Sequence, residues 1–195
     1  NGQDFHITVS GGSVPQSYLM DGAVDTSAAI AAANGALTLY LGWNGVQLYA
    51  ATQSAQSQSG DMFILVADSQ RALTNAMWAK SGSVAAWDAF LGNESTNNWN
   101  GWFNSTGSQM TGNGVNTAAS ILEGALNVQS TFGHLPATLY VAVGKYATAD
   151  GGSLQAQVPA GNGNGNIEPA EFFAFAIDSA LSAPATPVPV SPSDQ

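Results

Sequence analysis

A chain of 195 residues, 45% of them hydrophobic, is long enough for one well-filled domain and too short for two. Charged residues make up only 8%, and the net charge of −10 repels a phosphate backbone and an anionic lipid surface alike, which argues against nucleic acid and lipid partners. With no cysteine there is no disulfide framework and no thiolate site, and no apolar run reaches the length of a membrane-spanning helix.

The chain begins at Asn1 rather than Met, as expected of a mature form whose signal peptide has been removed. Residues 4–9 (DFHITV) read as a first strand, with Phe5, Ile7 and Val9 alternating against His6 and Thr8, ended by Gly11-Gly12. The Ala-rich residues 25–33 predict one or two helical turns, with Asp25 as their cap or, together with Asp21, as ligands of a structural cation. The strongest signal follows. Leu37, Leu39, Leu41 and Trp43 fall on one face of a strand, and Asn44-Gly45 has the chemistry of a type I′ hairpin turn. Residues 46–53 return with Val46, Leu48 and Ala50 alternating against Gln47, Tyr49 and Ala51. Residues 62–67 are apolar on both faces, so a three-stranded antiparallel core is expected here.

Beyond residue 71 the punctuation is weaker. Residues 83–91 (SVAAWDAFL) place Val84, Trp87 and Phe90 at helical spacing and predict a short helix capped by Ser83. Residues 93–114 are rich in Asn, Ser and Gly and predict a long loop or ragged edge strands. Strands are expected at 118–127, 137–146, 154–158 and 171–177, with a helical turn at 128–132. From residue 182 onward a Pro-rich stretch reads as a polyproline-like tail.

Strands joined by turn signals, with only short connecting helices, imply an all-β fold: a single antiparallel β-sandwich of immunoglobulin or jelly-roll type over residues 1–181, carrying an Asn/Trp-rich insertion at 78–114 and followed by the tail at 182–195. Asp21-Gly22-Ala23-Val24-Asp25 before LTLYLGWNGVQLYAATQ resembles the opening of family 9 carbohydrate-binding modules and the related DOMON-like sandwiches. Residues 60–66 (GDMFILV), 122–127 (LEGALN) and Phe132-Gly133 resemble later elements of the same pattern, in the same order. The resemblance implies the sandwich fold and a carbohydrate ligand. The stretch at 78–114 and the Asn/Gly loop after 160 depart from it.

Residues 160–171 (AGNGNGNIEPAE) align with an EF-hand-type calcium loop. Asn162 and Asn164 stand at the third and fifth ligand positions, Gly165 at the sharp turn, Asn166 at the backbone-carbonyl position and Glu171 at the twelfth, with Asp150 or Glu168 as an additional oxygen donor. Ala160 stands where the first acidic ligand belongs, so affinity for calcium should fall toward the weak extracellular range. The competing reading is a Gly/Asn turn. Trp99 and Trp102, set among Asn98 and Asn100, suit a sugar platform, in which indole faces stack on pyranose C–H groups; alternatively these rings pin a polar loop to the sandwich. Asn93 and Asn104 head glycosylation sequons. His6 and His134 are the only imidazoles and neither has a nucleophile motif beside it, so catalysis has little footing.

Two functions compete. One is a secreted, non-catalytic structural protein that polymerises with copies of itself into an extracellular filament or surface layer, through the edge residues Phe5, Ile7 and Val9 or the tail residues Pro187, Val188 and Pro189. The other is an extracellular module that binds a polysaccharide. Low charge and the sequence's lack of a catalytic constellation favour the first; the resemblance and the tryptophans favour the second. The first is taken as the expectation, with the second as its alternative, because a resemblance of fold does not carry function with it.

Overall fold

The computed structural model describes residues 17–54, 60–97, 99–118 and 120–177. Thirteen strands are named in chain order. They are β1 (Ala29–Asn34), β2 (Leu37–Trp43), β3 (Gln47–Ser54), β4 (Asp61–Ala67), β5 (Leu73–Asn75), β6 (Ser83–Ala85), β7 (Ala89–Glu94), β8 (Trp99–Asn104), β9 (Val115–Ala118), β10 (Ile121–Asn127), β11 (Thr138–Tyr146), β12 (Leu154–Val158) and β13 (Phe173–Ala176). One short helix, α1 (Val128–Phe132), and two 3₁₀ turns, Met77–Ala79 and Pro169–Glu171, complete the elements. The strands form two antiparallel sheets. The first runs β1-β2-β3-β10-β9; the second runs β12-β11-β4-β7-β8, with β13 also on β11, and β5 and β6 make a separate ribbon. This is the all-β sandwich expected from the sequence.

The alternation read from residues 37–43 sets the inner face. Leu37, Leu39 and Leu41 meet Met62, Ile64 and Val66 of β4 and Val141 and Val143 of β11 in the core between the sheets. The second sheet is covered on its other face as well. Phe63, Leu65, Phe90, Phe103 and Tyr146 pack there beneath Met77, Val84 and Ile167, which come from the 3₁₀ turn, β6 and the loop before β13. Burial on both faces is why all seven residues of β4 are buried.

Five expectations are corrected. β4 does not extend the β2–β3 hairpin but crosses to the second sheet, pairing with β7 and β11. There its alternate residues reach two separate apolar clusters, which a third strand beside the hairpin would not do. The turn between β2 and β3 is centred one residue later than a type I′ turn on Asn44-Gly45. Only Gly45 has positive φ, and the Asn44 side-chain oxygen accepts the N–H groups of Val46 and Gln47. Residues 83–91 are strand, bend and strand rather than helix. The period of three in Val84, Trp87 and Phe90 arises because a bend at 86–88 returns the chain to the same outer face. Residues 25–33 likewise hold a turn closed by Ala28 N–H on the Asp25 carbonyl, then β1. Residues 78–114 supply the end of the 3₁₀ turn, β6, β7 and β8, so they are integral to the second sheet.

Candidate functional site

The outer face of the second sheet carries an aromatic cluster built from four separate stretches of chain. β7 and β8 pair Phe90 with Phe103, whose rings stack with centroids 5.0 Å apart. Trp78 stands edge-on to Phe63, Phe90 and Phe103, at centroid distances of 5.0, 5.9 and 5.3 Å. One face of Trp78 stacks on Trp99 at 5.5 Å and 18°. Gly92 makes this possible, because a Cβ there would lie 2.8 Å from the Trp78 ring.

Trp78 is held in an unusual backbone. It and Ala79 are consecutive non-glycine residues in the left-handed region, with φ of 47° and 57°, a conformation that costs about 1–3 kcal/mol per residue. The neighbouring Lys80 holds the turn in place. Its ammonium is buried, bridges to Asp61 at 2.7 Å and donates to the carbonyls of Ala147, Thr148 and Ala149. Asp61 in turn accepts the N–H and hydroxyl of Ser95.

Beside Trp78 opens a cleft of about 420 Å³, within the range of small-molecule sites, with Trp87 and Phe90 also in its lining. Its polar rim includes Thr74, Asn75, Ser105 and Thr106, together with Arg71. Arg71 Nη2 pairs with Asp88 Oδ2, which also accepts the Asp68 N–H at 2.9 Å. Arg71 Nε and Trp87 Nε1 find no hydrogen-bond partner among the described residues.

Of the two tryptophans singled out for sugar contact, Trp99 is 48% exposed and adjoins this cluster. Trp102 is not available. It is 1% exposed and lies between the sheets, its Nε1 2.6 Å from where a Cβ on Gly124 would sit. Residues three apart on one strand point to opposite faces, so Trp99 outside requires Trp102 inside. Asn100 is half-buried opposite Asn93, and the Asn98 side chain lies outside the described residues. Asn93, the first sequon residue, is 4% exposed on the same inward side of β7 as Leu91. Asn104 is half-buried at the end of β8, with its side-chain oxygen accepting from Thr106 and Ser108. Phe5, Ile7, Val9, Pro187, Val188 and Pro189 lie outside the described residues.

The loop at 160–171 brings four of its five named residues together. Asn162 and Asn164 donate their amide hydrogens to Glu168, while their side-chain oxygens accept the N–H groups of Asn164 and Asn166. Glu171 accepts from Gln157, Asn162 and Glu168. Burial acts to raise the Glu171 pKa, but these donors outweigh it and hold the carboxyl below its usual range. The Asn166 side chain points elsewhere, accepting the N–H of Ser83. The loop is thus closed by hydrogen bonds, and among the described residues no three of His, Asp or Glu converge on a metal-sized space. Calcium remains a proposal that requires the Asn162 and Asn164 amides to turn their oxygens toward Glu168.

On the outer face of the first sheet, Glu123 is fully buried and accepts the Tyr49 hydroxyl at 2.6 Å. Burial, then the Glu123 carboxylate, push the Tyr49 pKa far up, so it stays a donor. Asp21 and Asp25 cap turns, on Ala23 and Ser27 respectively.

Comparison with protein-family models and with curated proteins gave no match.

Proposed function

We propose that this chain is an extracellular, non-catalytic carbohydrate-binding module, with the glycan seated in the cleft beside Trp78. One observation carries the reading: an open cleft lined by Trp78, Trp87 and Phe90, with the exposed Trp99 stacked behind Trp78 and uncharged polar side chains on the rim. Apolar walls with a few convergent polar groups are the usual composition of a small-ligand site. Aromatic faces suit the C–H face of a pyranose, and Thr74, Asn75 and Thr106 suit its hydroxyls. Two strained residues held beside the cleft by a buried ion pair point the same way, since strain concentrates at binding sites. Retention on a panel of insoluble polysaccharides tests the reading. The wild type should be retained by at least one, and Trp99→Ala and Trp87→Ala should be released from it. Equal retention of both variants, with unchanged melting curves, counts against this cleft.

A second reading, self-assembly into an extracellular polymer, is supported by β1. This strand pairs only with β2 among the described residues, carries no charge or proline and exposes 65% of Ile30. An uncharged free edge is a template for strand addition. Regular polymers of the native protein, dispersed by Ile30→Lys, would support it; a monodisperse monomer at high concentration would overturn it.

A further inference from the structure

We infer that the ligand of this cleft is an uncharged glycan and that the Arg71–Asp88 pair selects it, an inference that rests on the carbohydrate reading above. Among the described residues Arg71 is the one cation in the cleft lining, and its charge is already met by Asp88. A uronate or sulfate ester entering there would find its one cation already paired with a carboxylate. Of the two other basic residues, Lys80 is buried against Asp61 and Lys145 is not in the cleft lining, and a net charge of −10 opposes a polyanion before contact.

The pair has a different use. A guanidinium offers several N–H donors in a fixed plane, and the Asp88 carboxylate that pairs with one of them orients that plane. The oxygens of two vicinal sugar hydroxyls match adjacent donors of such a plane. Arg71 lines the cleft and its side chain is 37% exposed, so it is reachable without displacing the core. Trp78 and Trp87 then grip the ring, while Arg71, held by Asp88, reads its hydroxyls.

The test uses the full chain in affinity electrophoresis through gels containing neutral polymers (a mixed-linkage β-glucan, a xylan, a mannan) or uronate polymers (polygalacturonate, alginate). Retardation is expected with at least one neutral polymer and with neither uronate, changing little between about 0.05 and 0.5 M salt. Arg71→Ala and Arg71→Lys should each weaken the neutral interaction by roughly tenfold or more, the worth of one charge-assisted hydrogen bond. Asp88→Asn should admit uronates by freeing the Arg71 charge. Salt-sensitive binding of a uronate polymer that Arg71→Ala abolishes would overturn the inference and leave the carbohydrate reading intact. Neutral binding unchanged in both Arg71 variants, with melting curves preserved, would overturn the role of the pair. Retardation by none of the five polymers would overturn the inference together with the reading beneath it.

Discussion

The backbone N–H of Gly22 donates to Oε1 of Glu123 across 2.6 Å, joining residues 101 positions apart in the chain. The other carboxylate oxygen accepts from Tyr49, whose hydroxyl also takes the N–H of Asp25. One buried carboxylate on β10 therefore fastens the turn-rich segment at 17–28 over the outer face of the first sheet. Tyr18 lies against Tyr49, with ring centroids 4.9 Å apart, and over Gly42. The elements around Asp21 and around Glu123, separate pieces in the sequence, meet at this bond.

Removing that carboxylate should cost more than removing its partner. Glu123→Ala leaves a buried hydroxyl and a backbone N–H without an acceptor, for an expected loss of about 2–4 kcal/mol. Tyr49→Phe leaves the Gly22 bond in place and deprives one carboxylate oxygen and the Asp25 N–H of their partner, for about 1–2 kcal/mol. Urea denaturation of the two single variants and the double variant measures the coupling. An unchanged midpoint for Glu123→Ala would mean that the bond does not hold the segment.

Lys80 links stability to the cleft. Lys80→Met strands Asp61 in the interior and leaves three carbonyls unanswered, at an expected cost of about 3–5 kcal/mol. Because the same lysine holds the strained turn, the Trp78–Trp99 stack should loosen with it. Near-ultraviolet circular dichroism of the folded variant should lose the part of its tryptophan signal that Trp99→Ala also removes. A variant as stable as wild type, with an unaltered spectrum, would show that the turn is held by its aromatic packing alone.

Much of the scaffold was legible because alternation is a direct record of burial. Leu37, Leu39 and Leu41 could line only one face of a strand, and the unbroken apolar run at 62–67 required cover on both sides. Which sheet that run joins was not legible, since the connection before it permits either a third hairpin strand or a crossing. At the site, the rule that separates Trp99 from Trp102 was present in their spacing and depended on recognising β8 as a strand amid Asn and Gly. Trp78 had no such signal: a non-glycine residue with φ of 47° is imposed by its surroundings. Lys80, one of three basic residues, gave no sign in the sequence that it would be buried.

Acid should weaken the protein through Glu171. Its folded pKa lies below the unfolded value of about 4.3, so its contribution is complete above that pH and is lost as pH falls through the folded value. Asp25 is shifted in the same direction: burial opposes the shift, and hydrogen bonds from Ser27 and Leu19 outweigh it. Melting temperature followed from pH 6 down to about pH 3 should therefore fall. Glu171→Gln should flatten the fall, because an amide oxygen keeps accepting without titrating, and adding Asp25→Asn should flatten it further. A slope identical to wild type in both variants would place the acid-labile interactions elsewhere.

Calcium at the 160–171 loop is the most direct of the sequence proposals to test. With no side-chain oxygen at Ala160 and amides at Asn162 and Asn164, the loop offers fewer charged ligands than a calcium sensor, and dissociation constants near 10⁻⁴–10⁻³ M are typical of such weak extracellular sites (roughly). At a calcium concentration about tenfold above a millimolar constant, binding to the folded state alone adds about 1.4 kcal/mol. For a chain of this size that is a rise in melting temperature of roughly 3–6 °C. Glu168→Ala should abolish the rise, because both asparagine amides converge on that carboxylate. Magnesium should give little, since it demands a smaller, near-octahedral set of ligands. A melting temperature unmoved by calcium and by a chelator would mean that the bonds from Asn162 and Asn164 to Glu168 close the loop without a cation.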